Sequence, residues 1–564
     1  MSHSPNTPTG ADALVAMLKA YEVRHIFGLC GDTSLPFYDA MARDGAGIDH
    51  ILTRDERHAG YMADAYARLT GKPGVCEGPS GGGATYILPG VVEANESSIP
   101  ILAITTDVAQ TSAGRYPLTE LDQEALFRPL TKWNATFSDA ARLPAMVRRA
   151  FREMTTGRPG AVHMALPFDV QKAPADAREI WADPRHTRFP ALPASPDPAA
   201  IEDLARALTE TSRALVICGG GPVIAGAEDA LRQLAERLNV PVATTVSGQG
   251  AIAETHPQAI GVVGSNGGVP ATRAIVDAAD LILFIGCRAG SVTTERWRSP
   301  APGQRIAHID SDPAVIGANY DTEIAIAADA RAALEALNAA LDDRPAADHG
   351  GAALATKAWA AKLAAFRPLA DATSGPVTPE ATIAALARAL PEDAVICADP
   401  GTPCPYVSAH YRWRRVRRHF ITNRAHGALG YALAAAAGAQ VARPDATVLA
   451  LMGDGSFGFS CGEFETIVRL GLPIKALVFS NAVFGWIKAG QKSGFGARYH
   501  NVDFGVTDHA AVARAFGVAS WTVDDPRALD ATIAKALAHD GPALIDVISQ
   551  PLHDAAAPVS EWVA

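Results

Sequence analysis

Short runs of consecutive apolar residues recur along the chain, each ending in a glycine-rich turn and leading into a stretch with amphipathic spacing. Ile101–Thr105, Ala214–Cys218, Leu281–Gly286, Thr447–Met452 and Ile474–Phe479 are clear examples. Such runs suit strands covered on both faces, and the amphipathic stretches suit the helices that cover them. Strands alternating with helices at this spacing predict parallel, doubly wound sheets that bind ligands at the carboxyl ends of their strands.

Two stretches break the alternation. Residues 167–198 contain seven prolines, and residues 344–379 mix Ala, Gly and Pro. Both read as linkers, and they divide the chain into three α/β domains at about 1–180, 198–343 and 380–564. A length of 564 residues suits that number. An apolar share of 48% against 19% charged residues lets each domain build a core. The net charge of −11 argues against a nucleic-acid partner. The apolar stretch from Gly427 to Ala442 is Ala- and Gly-rich and too short to span a bilayer. The opening MSHSPNTPTG has neither the basic nor the apolar region of a leader, so the cytoplasm is the expected location. Seven scattered cysteines without a CxxC pair support neither a disulfide scaffold nor a zinc site.

The most informative segment is VLALMGDGSFGFSCGEFETIVRLGLPIKALVFSNAVFGWIK. A strand over Val448–Met452 runs into Gly453-Asp454-Gly455-Ser456. A helical pattern then begins near Gly462, and a second strand leads to Asn481. Glycines at 453 and 455 admit phosphate oxygens to the backbone N–H groups. Asp454 and the Asn481 amide are hard oxygen ligands suited to Mg²⁺, which would bridge protein and diphosphate. Read alone, Gly-Asp-Gly is more often simply a turn after a strand.

With Asn481 standing 27 residues beyond Asp454, the segment resembles the signature of thiamine diphosphate enzymes. The resemblance implies that the Val483 carbonyl is a third metal ligand. It extends to ILTRDERHAGYMADAYARLTGKPGVC, where Glu56 falls at the activating glutamate, and to the glycine-rich GVCEGPSGGGATYILPG. A carboxyl group on N1′ of the aminopyrimidine favours the imino tautomer that generates the C2 ylid. In ITNRAHGALGYALAAAAGA, the resemblance makes the Gly427 carbonyl the acceptor for N4′ and Leu429 the wedge under the bent cofactor. It also implies a homodimer or homotetramer, with Glu56 and the metal motif of one site on different subunits. Within the family the chain looks most like acetolactate synthase large subunits, oxalyl-CoA decarboxylases and 2-hydroxyacyl-CoA lyases.

Specificity positions are mixed. Asp32 stands where pyruvate decarboxylases carry Asp, Thr119 where acetolactate synthases carry Gln, and Ile487 where pyruvate decarboxylases carry an active-site Glu. Without that acid, release of a simple aldehyde lacks a proton donor. The reading is a carboligase or lyase acting on a 2-oxo acid, aldehyde or 2-hydroxyacyl-CoA through an enamine, with Trp486 and Thr119 shaping the acceptor pocket. A simple 2-oxo acid decarboxylase is the alternative, and a non-catalytic nucleotide-binding protein the alternative of another class. His426 is either a substrate contact or a packed core histidine, and the basic run from His410 to His419 reads as a solvated loop. In the middle block, Gly219-Gly-Gly-Pro222 and Asp310 at a strand end suggest a nucleotide-binding-like fold. Relatives bind FAD, ADP or nothing there, and the residues leave all three open.

Overall fold

The computed structural model describes residues 7–45 and 47–560. Residues 1–6, on which the reading of the N-terminus largely rests, lie outside them. The strands are β1 His25–Gly28, β2 Asp49–Leu52, β3 Gly74–Gly78, β4 Ile101–Asp107, β5 Trp133–Thr136 and β6 Val162–Pro167; β7 Ala214–Cys218, β8 Val242–Thr244, β9 Ala259–Val262, β10 Leu281–Ile285, β11 Arg305–Asp310 and β12 Ile324–Ala327; and β13 Val395–Ala398, β14 Phe420–Thr422, β15 Val448–Gly453, β16 Lys475–Ser480, β17 Ala519–Val523 and β18 Ala543–Ile548. They form three six-stranded parallel sheets in the orders β2-β1-β3-β4-β6-β5, β12-β11-β10-β7-β8-β9 and β14-β13-β15-β16-β18-β17. The first and third share one winding. The second is wound like a dinucleotide-binding sheet, with the order reversing between β7 and β10.

β4, β10 and β16 are buried along almost their whole length, as runs without alternation require. The chain forms two compact units. One holds residues 1–192 and 425–444, and the other holds 193–424 and 445–564. In the first unit the helix Tyr431–Ala442 packs on the helix Glu56–Thr70. Small residues make that approach possible, since a Cβ on Gly438 would collide with the main chain of Met62. The helix Leu88–Glu96 crosses the same helix where Gly60 meets Gly90. Among the described residues, no helix is long and apolar enough to cross a membrane.

Three local readings change. The stretch 344–379 is not an open linker, because it carries the helix Gly351–Ala370. Its alanines are strong helix formers, and Trp359 anchors it by donating to the Ala259 carbonyl at 2.8 Å. After Gly-Asp-Gly the helical segment starts at Asp454 itself and runs as three short pieces, Asp454–Ser460, Cys461–Glu463 and Phe464–Arg469. The basic run is only partly solvated. Arg414, Arg415 and Arg417 are exposed, but Trp413, Arg418 and His419 are buried. Arg418 donates to the Ser247 carbonyl at 2.7 Å, and Arg412 lies 4.4 Å over the Trp359 ring. The stems and planar heads of these arginines pack as well as carry charge.

Candidate active site

In the first unit the chain leaves β2 through Thr53 and enters a helix whose first residue is Glu56. Asp55 caps it, accepting from the Arg57 N–H at 2.8 Å while the Arg57 guanidinium closes on the same carboxylate. The cap fixes the direction of Glu56, which is 7% exposed. Its side chain lies against the glycine-rich loop. A Cβ on Gly83 would stand 3.2 Å from Glu56 Oε1, and one on Gly78 would stand 3.3 Å from Cγ. Glycine at those positions makes room for the carboxyl group. Burial is the chief reason that the Glu56 carboxyl is raised above its ordinary range, opposed by its own N–H and reinforced by Asp55 and Glu77.

The expected specificity positions stand on two other segments that pack against this loop, Gly31 against Pro79 and Thr119 against Gly81. Asp32 is exposed at the start of the 3₁₀ turn Asp32–Ser34. Thr33 Oγ1 is 3.1 Å from Ser80 Oγ, which is 2.7 Å from Thr119 Oγ1. Thr119 sits at φ +71 against Gly81. The structure therefore brings Asp32, Thr119 and Glu56 to one wall at the carboxyl ends of β1 and β3.

Gly427, at φ +79, and half-buried Leu429 also belong to this unit. His426 is exposed, so it is not a packed core histidine; only its backbone is held, donating to Glu93 Oε2 at 2.7 Å. Glu93 is buried and pushed up to about 7, mainly by burial and against the pull of Arg68. Arg68 bridges Asp64 and Glu93 at 2.9 and 3.1 Å, and Tyr431 donates to Asp64 at 2.5 Å. This buried network fixes the loop ahead of Gly427. Sequence reading missed it; its signal is charge at 64, 68 and 93 within otherwise apolar helical spacing.

In the second unit, β15 ends in Gly453 beside β16, with Gly453 opposite Phe479. Asp454 is 6% exposed, and its carboxylate spans the two strand ends. Oδ2 accepts from the Asn481 and Ala482 N–H groups at 2.7 and 2.6 Å, and Oδ1 from Gly455 at 2.8 Å. Burial nevertheless raises the Asp454 carboxyl, these three bonds pulling it back. The Asn481 amide nitrogen reaches Ser549 Oγ at 3.4 Å. Ser456 is buried in the first turn after Asp454.

The two glycines have different reasons. A Cβ on Gly453 would meet nothing within 4 Å, whereas one on Gly455 would stand 2.6 Å from the Phe484 ring. Val483 is buried and bridged to Asp503. Trp486 packs on the sheet core beneath the Arg424 guanidinium, 5.7 Å away, and Ile487 is 54% exposed. In the middle sheet Asp310 ends β11, its Oδ1 accepting from the Asp312 N–H at 2.9 Å.

A buried carboxyl behind a glycine-rich loop and an aspartate clamping two strand ends place the chain in a class that comparison with known proteins defines. Residues 8–126 match the N-terminal TPP-binding domain, 201–337 the central domain and 399–547 the C-terminal TPP-binding domain of thiamine pyrophosphate enzymes. The chain belongs to that family and is a thiamine diphosphate-dependent enzyme. It is 33% identical over 555 residues to a probable acetolactate synthase large subunit of Methanocaldococcus jannaschii, covering 96% of this chain and 92% of that protein. It is also 31% identical over 541 residues to the acetolactate synthase isozyme 2 large subunit of Escherichia coli, covering 95% of each.

Proposed function

We propose that the protein is a Mg²⁺-requiring carboligase that transfers an acyl unit from a 2-oxo acid to a second carbonyl compound, or in reverse cleaves a 2-hydroxyacyl compound. The residues fit the cofactor. Asp454 is a buried carboxylate that a cation would complete: two N–H donors fill Oδ2, and Oδ1, which accepts one, keeps a lone pair for it. Asn481 and the Val483 carbonyl would be the other protein ligands, and the open space beside Gly453 suits a diphosphate oxygen. Bound thiamine diphosphate supplies a thiazolium carbon that acts as nucleophile and electron sink. Glu56, sheltered and raised, would hold a proton at N1′. The Gly427 carbonyl would accept from N4′, and Leu429 would support the bend.

One observation carries the choice of carboligase. Phe484, Trp486 and exposed Ile487 make the approach after Asn481 apolar and offer no acid to protonate a product carbon. Capture by a carbonyl acceptor is then favoured over aldehyde release. The acetolactate synthase names of the relatives support this reading, and Asp32 and Thr119 would select the acceptor. The test is product analysis with a 2-oxo acid donor, with and without an aldehyde, 2-oxo acid or acyl-CoA acceptor. A C–C coupled product is expected. Fast, acceptor-independent aldehyde as the sole product would make the protein a simple decarboxylase.

A further inference from the structure

Five hydroxyl groups from four segments meet behind the glycine-rich loop, and of these the chemistry above uses only Thr119. Ser34 and Thr106, the latter on β4, have no exposed surface, and their hydroxyl oxygens lie 3.1 Å apart. Thr106 Oγ1 is 2.8 Å from Thr33 Oγ1, which also accepts from the Ser80 N–H at 3.1 Å. Thr33 and Thr119 flank the hydroxyl of buried Ser80 at 3.1 and 2.7 Å. Thr119 in turn donates to the Leu118 carbonyl at 2.5 Å. Each hydroxyl has one hydrogen, so that last bond sets the direction of the rest. Thr119 must accept from Ser80, Ser80 from Thr33, Thr33 from Thr106 and Thr106 from Ser34. The Thr33 backbone is itself fixed, its carbonyl accepting from the buried Gln171 amide at 2.9 Å. The outer end of the chain, Thr119, is exposed. It stands at φ +71, a region that a β-branched residue rarely enters, and Gly81 leaves the room that its side chain needs. The bond from Ser80 and that glycine hold a strained residue in place. With its hydrogen committed to Leu118 and one bond accepted from Ser80, Thr119 Oγ1 keeps one lone pair for a ligand. Asp32, beside Thr33, adds an exposed carboxylate to the same wall.

We propose that this directed chain makes Thr119 a hydrogen-bond acceptor toward substrate, and that the wall it shares with Asp32 selects, as second substrate, an uncharged aldehyde that carries a hydroxyl group. The inference rests on the reading of the protein as a carboligase whose acceptor meets Asp32 and Thr119, and it names the class of that acceptor. A lone pair and a carboxylate both call for a hydrogen-bond donor, which a hydroxyaldehyde offers and an alkyl aldehyde does not. They also oppose a carboxylate on the acceptor, because like charges brought together repel. The donor's own carboxylate is lost as CO₂ before the acceptor enters, whereas one on the acceptor would stay. In the overall transfer the donor's carbonyl carbon loses its bond to the carboxylate and gains one to the aldehyde carbon. CO₂ leaves, and the former aldehyde oxygen takes up one proton. Ser80 and Thr33 touch no reacting atom; they are positioning residues for Thr119.

The test is competition between glycolaldehyde and propanal, which match in size, for coupling to pyruvate by the enzyme loaded with thiamine diphosphate and Mg²⁺. The parent should prefer glycolaldehyde by at least about tenfold in kcat/KM, since a site built to bond a hydroxyl rejects the analogue without one. Ser80→Ala frees Thr119 from the chain and should lower that ratio by about threefold or more. A merely structural loss would slow both reactions together and leave the ratio in place. Thr119→Val keeps the shape, loses the hydroxyl and should remove most of the preference, while Thr119→Ser should retain it. That pair decides the matter if Ser80→Ala does not fold. Asp32→Asn should raise coupling to a second pyruvate relative to glycolaldehyde. Equal use of the two aldehydes by the parent, a main product built from two pyruvates, or an unchanged ratio in folded Ser80→Ala or Thr119→Val overturns the inference. No coupled product with any acceptor would instead overturn the carboligase reading on which it rests.

Discussion

Glu56 and Asp454 are both buried carboxylates, and the fold supports them differently. Asp454 collects three backbone N–H donors, which pull its carboxyl back toward the anion although burial still raises it. Glu56 stands in a pocket shaped by glycines, which favours a carboxyl that keeps its proton. The meeting of Asp454 with Asn481 was legible in the sequence because two successive apolar runs end in these residues, and neighbouring parallel strands bring their ends together. That of Thr33, Ser80 and Thr106 was not, because they stand at or just past the ends of three strands that come together only when β3 pairs with β1 and β4. A buried histidine offers a separate test at this scale. His163 stacks on Phe127 at 3.5 Å and has Nε2 2.6 Å from Thr105 Oγ1, and burial pulls it down to about 3. The folded chain holds it neutral, while the unfolded chain takes a proton below about pH 6.5. Its contribution is therefore present above that pH and is lost as pH falls toward 3. Thermal midpoints followed by circular dichroism should fall less steeply across that window in His163→Gln; an unchanged slope would contradict the assignment.

Helix contacts around Glu56 depend on small residues. The Ala- and Gly-rich stretch from Gly427 to Ala442, too weakly apolar for a membrane, contributes the helix that lies closely on Glu56–Thr70. Replacing Gly438 by Ala puts a methyl group against the Met62 main chain. Overpacking of this kind costs about 1–3 kcal/mol, while the better helix propensity of Ala returns up to about 1. Gly438→Ala should lower the thermal midpoint, and a rise would show that the helices can separate freely. The strands were legible because buried parallel strands are continuous apolar runs. Helix Gly351–Ala370 was hidden because Gly350 and Gly351 stand at its start and Pro368 falls within its last turn, so the glycines and proline that suggested a linker leave its interior uninterrupted.

At the scale of the molecule, the first and third sheets repeat one strand order, and each carries a buried carboxylate on the carboxyl-end side of its strands. Asp454 stood out by its residue pattern and Glu56 only through the family resemblance, while the grouping of residues 425–444 with the first unit appeared only in the structure. If the protein is a homodimer whose sites draw Glu56 and Asp454 from different subunits, two inactive variants should complement. Mixed Glu56→Gln and Asp454→Ala chains should recover about one quarter of the parent activity, since half the dimers are mixed and each holds one intact site. No recovery in verified mixed dimers would place both residues of a site on one chain. The central claim is that Asp454 and Asn481 hold a cation which holds the diphosphate. Calorimetric titration with thiamine diphosphate tests it most directly, with and without Mg²⁺, in the parent and in Asp454→Ala. Tight binding is expected only for the parent with Mg²⁺. Equal affinity without a divalent cation, or in the variant, would contradict it.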